Sequence, residues 1–332
     1  SGDLLFVYSA DDATPVYRTR SGGSWSSQQS LPLNDGLGPN PDPNSGTVLW
    51  VELVPRPGSD EIALLYADDN SALVAMVWSG SAWVTASATT LATNLKENPT
   101  SHLVHQRAFD GAYETQTGDL VVAWGVQGQA GFTSAFKPQG SSSWTSVANV
   151  ALYTGLVEFV DLAGDPASDR IAGVFIDEGN GTERLGLAMW EGSGWVDTKE
   201  GDSQIRDVND QAFGDFPAGV AWVGSTSTAV CVYPDNETGT LDWALWTASA
   251  GWMLQADAPI PAKSYTESVA LAAVPNQSAV MALVSDSNNK LHSALYTGGS
   301  GGSWTVSNGG QPISGQLSSL ASLPFSLDFQ AQ

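Results

Sequence analysis

Three features of the 332-residue sequence predict an all-β fold made of repeats. A short pattern recurs six times: an apolar strand, a polar turn, a second apolar strand, then Gly or Ser followed by Trp. The closing tryptophans are Trp25, Trp83, Trp144, Trp195, Trp252 and Trp304, with separations of 58, 61, 51, 57 and 52 residues, so the period fills the whole length. No segment sustains a 3.6-residue apolar period, and helix content is expected to be near zero.

In the first copy, Leu4 to Tyr8 is an apolar strand, Asp11-Asp12-Ala13-Thr14-Pro15 a turn and Val16 to Arg20 the return strand, with Ser21-Gly22-Gly23-Ser24 leading into Trp25. Residues 31–46, rich in Pro, Gly and Asn, read as a long loop. Copy two is the clearest: Val48 to Val54, a turn at Pro55 to Ser59, Ile62 to Ala67, Leu73 to Trp78 and then Trp83. Copy three is the most divergent, with a long loop at about 86–101 and a third strand, Phe132 to Phe136, flanked by glycines. Copy four runs Leu156 to Leu162, Ile171 to Ile176 and Leu185 to Trp190, and an acidic loop follows at 197–217. Copies five and six repeat the plan at Val220, Ala229 and Leu241, and at Val269, Ala279 and Leu291. Each complete copy therefore has four short strands joined by hairpin turns.

The first copy starts on the second strand of this plan, and Phe325 to Gln330 has the character of a first strand. Residues 317–332 are accordingly expected to pair with the first copy and close a ring. Four-stranded units set radially leave only short, protected edges, which is a β-propeller. The expectation is one domain over 1–332, with six blades. Rings at equivalent positions (Tyr8, Tyr66, Trp124, Phe175 and Tyr233 on second strands; Trp78, Phe136, Trp190, Trp246 and Tyr296 on third strands) suit the wedges between blades.

Composition excludes several functions. Twelve Lys plus Arg stand against 35 Asp plus Glu, a formal charge of −23, which repels phosphate backbones and anionic lipid. Nucleic acid is not an expected partner. No apolar run approaches the ~18 residues of a membrane helix, so direct membrane insertion of this segment is not expected. The one cysteine, Cys231, sits in an apolar strand and reads as a small buried hydrophobe. His102 and His105 lack a Glu at zincin spacing, and the chain has no Gly-x-Ser-x-Gly elbow and no phosphate-cradling loop.

Three sets of residues stand out as chemistry. Glu52, Asp110 and Asp161 each lie ten residues before the second strand of their copy, and Asp328 takes the same place in the closing strand; copies five and six have Ala221 and Leu271 there. Such a row of acids on innermost strands either binds a hard cation, calcium being the candidate, or accepts hydrogen bonds from the next blade's backbone. The turns between second and third strands are rich in Asp and Asn (Asp11-Asp12, Asp68-Asp69-Asn70, Asp177-Glu178, Asp235-Asn236-Glu237, Asp286-Ser287-Asn288), mainly as turn formers. In copy one, Arg18 and Arg20 replace the Ala, Met or aromatic residues of other third strands. With Tyr17 and Trp25 they form the best candidate for a specialised polar pocket, unless they simply pair with Asp11 or Asp12. Asn-x-Ser/Thr acceptors for glycosylation occur at Asn180, Asn236 and Asn276.

The Gly/Ser turn before each Trp resembles the repeats of six-bladed fucose-binding propeller lectins, and more faintly the Asp-box turn of sialidase-type propellers. The lectin likeness implies sugar bound between blades by an arginine, an acid and aromatic rings. Arg18 or Arg20 fills the arginine role in copy one, and Arg184 in copy four; the other copies have none. Ser21-Gly22-Gly23-Ser24-Trp25 and its equivalents lack the box aspartate. The expected function is non-enzymatic recognition or adhesion outside the cell or on its surface, with a glycan as ligand. The alternatives are a structural subunit of a surface filament, with self-association, and a propeller glycosidase.

Overall fold

The computed structural model describes residues 3–10, 15–32, 47–96, 107–152, 155–178, 183–202, 205, 217–224, 226–235, 241–255, 257–260 and 266–317. These form 24 β-strands and a single 3₁₀ turn, Ser307–Gly310. Blade one holds β1 (Leu4–Tyr8), β2 (Val16–Ser21) and an outer strand in two pieces, β3 (Ser24–Trp25) and β4 (Gln29–Ser30), both paired with β2. Blade two holds β5 (Val48–Pro55), β6 (Ile62–Asp68), β7 (Leu73–Trp78) and β8 (Trp83–Ala92). Blade three holds β9 (Phe109–Tyr113), β10 (Leu120–Val126), β11 (Gln129–Lys137) and β12 (Thr145–Val150). Blade four holds β13 (Leu156–Gly164), β14 (Arg170–Glu178), β15 (Glu183–Glu191) and β16 (Trp195–Glu200). Blade five holds β17 (Gly219–Trp222), β18 (Thr228–Pro234), β19 (Leu241–Thr247) and β20 (Gly251–Gln255). Blade six holds β21 (Thr266–Ala273), β22 (Ala279–Asp286), β23 (Lys290–Thr297) and β24 (Ser303–Val306). Every blade is an antiparallel meander, and one parallel bridge, Gly131 to Leu156, links blades three and four.

Successive residues of a strand point to opposite faces, and here both faces are buried. Leu64 and Tyr66 pack with Val7 of blade one, whereas Ala63, Leu65 and Ala67 pack with Leu120, Val122 and Trp124 of blade three. Val121 and Ala123 turn to Ile171 and Phe175 of blade four; Ala172, Val174 and Ile176 turn to Ala229, Cys231 and Tyr233 of blade five; Val230 and Val232 turn to Val280 and Ala282 of blade six. Each of the five joints between consecutive blades is thus one apolar cluster. A fully buried Val, Leu or Phe contributes roughly 1.5–3 kcal/mol, so these joints carry most of the stabilisation. Cys231 lies fully buried in the fourth joint, as its apolar neighbours imply.

Polar ties cross the same joints. Trp190 Nε1 donates to Glu114 at 2.5 Å, Trp195 Nε1 to Ser134 at 2.8 Å, Trp222 Nε1 to the Ala163 carbonyl at 2.7 Å and Trp246 Nε1 to Asp197 at 2.6 Å. The repeated tryptophans therefore fasten blades as well as fill the space between them.

Two expected loops begin later than the sequence suggests. Residues 86–92 continue β8, because β-branched Thr89 and Thr90 pair with Ala75 and Val74 and the Ser87 hydroxyl accepts the Val77 N–H at 2.9 Å. Residues 197–200 likewise belong to β16. Of the closing segment expected at 317–332, all but Leu317 falls outside the described residues. The chain up to Leu317 runs back along blade six, with Ile313 N–H on the Leu291 carbonyl and Leu317 N–H on that of Asn289. Among the described residues no helix is long and apolar enough to cross a membrane.

Backbones of blades three and four approach closely at Gly125, where a Cβ would stand 1.7 Å from the Val157 carbonyl oxygen. Gly128 has φ of +77° but open space around it. Gly125→Ala is expected to cost about 3 kcal/mol or more through forced separation of blades three and four, and Gly128→Ala about 1 kcal/mol through backbone strain alone. Equal midpoint shifts for the two in urea denaturation would contradict this account of the joint.

Candidate functional site

Innermost strands of blades two to six surround a cavity of about 490 Å³ whose polar lining is Glu52, Arg107, Asp110 and Asp161. The structure brings together the three expected acids that lie within the described residues; Asp328 lies outside them. At their centre is Arg107, a residue the sequence reading missed. One terminal nitrogen contacts Glu52; the other lies 3.2 Å from Asp110 and 3.5 Å from Asp161. Asp110 also accepts the Leu162 N–H at 2.7 Å, and Asp161 the Val220 N–H at 2.9 Å. Both acids thereby bond the backbone of the following blade.

Burial pushes the Asp110 carboxyl well above its ordinary range, against the pull of Arg107. It raises Asp161 to about 6, with Arg107 and the Val220 N–H acting in the opposite sense. For Arg107 burial works to lower the pKa, but Asp110, Glu52 and Asp161 outweigh it and the guanidinium stays charged. The positive charge of this centre comes from the chain itself. Among the described residues no group of three or more His, Cys, Asp or Glu side chains is disposed to hold a metal ion.

The Asp-rich turns serve their own backbones. Asp68 accepts the N–H groups of Asn70 and Ala72, both at 3.0 Å, and Asp286 those of Asn288 and Lys290 at 3.0 and 3.1 Å. Asp177 binds Arg184 through two bonds, 3.0 and 3.1 Å long, so this arginine is already engaged. Asn276 occupies a turn with φ of +59°; Asn180 and Asn236 lie outside the described residues, as do Asp11, Asp12, His102 and His105.

Blade one differs. Its register sets Phe6 opposite Arg18, Leu4 opposite Arg20, and Arg20 opposite Trp25, so these side chains share one face. Counted from the pairing with the closing tryptophan, Arg20 stands where Trp78, Trp190, Trp246 and Tyr296 stand in other blades. Arg18 stands where those blades have Met76, Ala188, Ala244 and Ala294. No other blade packs on this face within the described residues: Leu4, Phe6 and Trp25 are 50%, 52% and 48% exposed, whereas Trp83 is 7% exposed.

Arg18, Phe6, Tyr8 and Trp25 line a hollow of about 260 Å³. Phe6 stacks on Tyr8 with centroids 5.1 Å apart and meets Trp25 edge-on at 6.3 Å, and the Tyr8 hydroxyl donates to Gln28 at 2.7 Å. Arg20 lines a second cleft, about 380 Å³, between blades one and two, with Asp3, Asp60 and Trp78 among its walls. Among the described residues neither guanidinium has a hydrogen bond or ion pair, and Arg18 Nε is buried without a partner. Tyr17 belongs to the opposite face, packed against Trp78 and Trp83 at 6.0 and 5.5 Å. Phe6 and Tyr8 take the place expected of it; the signal for them was the register of β1 and β2.

No protein-family model matches the chain, and no curated protein matches it. Among solved structures, AofleA of Arthrobotrys oligospora is similar at a TM-score of 0.48 and 12% identity, over 95% of this chain and 90% of that one. The Aleuria aurantia lectin, a six-bladed β-propeller with a fucose recognition mode, is similar at 0.45 and 14%, over 94% and 96%. A mutant of the NanB sialidase of Streptococcus pneumoniae is similar at 0.47 and 9%, over 86% and 64%.

Two outcomes test the central cluster. Arg107→Met leaves Asp110 buried without its cation and is expected to cost about 3 kcal/mol, the low end for removing one partner of a buried pair, because Glu52 and Asp161 keep some solvent contact. A loss below about 1 kcal/mol in urea denaturation would contradict the assigned role. The Asp161 carboxyl holds its proton more tightly in the folded chain, at about 6, than in the unfolded chain, at about 4. Its contribution to stability is therefore full below about pH 4 and lost as pH rises through about 6. The stability difference between the wild type and Asp161→Asn should fall across that window, and a rise would reverse the argument.

Proposed function

We propose that this chain is a non-enzymatic recognition module, outside the cell or on its surface, that binds glycans on blade one of a single six-bladed propeller closed by its C-terminal strand. The observation that carries this reading is the Arg18 hollow: exposed aromatic faces beside a guanidinium with no partner of its own. Sugar rings present a C–H face that packs on aromatic rings, and hydroxyls that accept from a planar donor fork. At about 260 Å³ the hollow lies near the small end of ligand pockets, roughly 300 Å³ upward. The Arg20 cleft, between blades one and two, adds an arginine, acids and a tryptophan.

The acids that a glycosidase would need are committed elsewhere. Asp110 and Asp161 hold the next blade's backbone, and with Glu52 they share Arg107. A catalytic pair needs one carboxyl free to donate and another free to attack or deprotonate. Calcium enters the proposal only as a condition to vary, since Arg107 already supplies a cation to the carboxylates.

A glycan array probed with the wild-type chain should give binders whose signal survives EDTA. Trp25→Ala and Phe6→Ala are each expected to weaken those binders by about tenfold, while Tyr17→Phe leaves them unchanged. An array with no binder, with and without calcium, would overturn the reading.

A further inference from the structure

We infer that the Arg18 hollow selects an anionic sugar, one bearing a carboxylate or a sulfate; this rests on the glycan reading and names the ligand class of that site. Arg18 occupies a third-strand site whose counterparts are Met76, Ala188, Ala244 and Ala294, all fully buried in joints between blades. A guanidinium in a closed joint would need a counter-charge or a strong acceptor; Arg18 is half-buried, with its Nε buried and without a partner. Three other arginines have one: Arg107 has its carboxylates, Arg170 has Glu191 at 3.1 Å and Arg184 has Asp177. Among the described residues Arg18 has none, and unlike Arg20 and Arg56, which also have none, it has its Nε buried.

The walls point the same way. Among the described residues the hollow is lined by Phe6, Tyr8 and Trp25 with no acidic side chain, whereas the Arg20 cleft includes Asp3 and Asp60. Alternating donors and acceptors, as around Arg20, suit neutral hydroxyls. A lone donor fork among rings suits an acceptor-only group on a body with an apolar face. The Tyr8 phenol is occupied by Gln28, which leaves its ring as a wall and not a hydroxyl ligand. Arg18 Nε is buried, so an anion meets the charge through the terminal nitrogens, in the charge-assisted geometry that guanidinium offers carboxylates and sulfates. The formal charge of −23 does not forbid approach, because at physiological salt it is screened over about 8 Å.

The experiment compares four oligosaccharides by isothermal titration at 0.15 M salt: one ending in a neutral hexose, one in a uronic acid, one in a sialic acid and one in a sulfated hexose. Binding of at least one acidic probe is expected to be about tenfold or more tighter than that of the neutral one. Which acidic probe wins separates carboxylate from sulfate. Arg18→Gln should weaken the acidic probes far more than the neutral one and so abolish the preference, with a thermal midpoint no lower than wild type, and Arg18→Lys should restore part of it. Equal binding of neutral and acidic probes, or a preference that survives Arg18→Gln, overturns this inference and leaves glycan recognition standing. Binding of none of the four overturns both.

Discussion

The constraint on which the architecture depends is the unpaired edge of each innermost strand. Such a strand is laddered to its own blade on one side only, and β13 has just a single bridge to β11 on the other, so most of the remaining N–H groups face the adjacent blade with no strand to receive them. Asp110 answers for blade four by accepting from Leu162, and Asp161 for blade five by accepting from Val220. Each correction brings a carboxylate into a crowded centre, and the carboxylates then need a cation. Arg107 is that cation, and it binds acids from three blades at once. Where the acid is missing, packing takes its place: Leu271 of blade six lies against Gly219 of blade five, close enough that a Cβ on the glycine would meet it at 3.3 Å.

This explains which parts of the design could be read from the sequence. Strands buried on both faces appear as short continuous apolar runs, such as Ile62 to Ala67, and six of them at a steady spacing are visible without any structure. The row of acids was visible too, because it keeps a fixed distance from the following strand. Arg107 was not, since it precedes β9 in the most divergent copy and has no counterpart to align with. The only hint was chemical: three converging acids require a positive charge, and Arg107 stands three residues before one of them. The ends of β8 and β16 were hidden for another reason. Thr, Ser, Asp and Lys on an outer strand face solvent and carry no apolar signal, although their backbones pair as fully as any in the core.

The sequence groups Tyr17 with Arg18, and the structure places the two on opposite faces of blade one. Tyr17 is next to Arg18 in sequence, but adjacent strand residues point to opposite faces, so neighbours in the chain are not neighbours in a site. The partners of Arg18 come from the strand across, where Phe6 is directly opposite it. A register argument of this kind needs only the hairpin turn and the alternation of the two strands.

Repetition makes such departures informative. Five joints show what the position of Arg18 requires when the task is only to hold two blades together: a small or flexible apolar side chain. Changing it to arginine weakens that face as a joint, and a partner that supplies negative charge on an apolar body repairs the loss. The energetics of an unsatisfied guanidinium and the recognition of a ligand are in this sense the same quantity, counted once with the site empty and once with it filled. Under the proposal, a face poorly matched to another blade is matched to an acidic ring, and among the described residues that mismatch is confined to blade one.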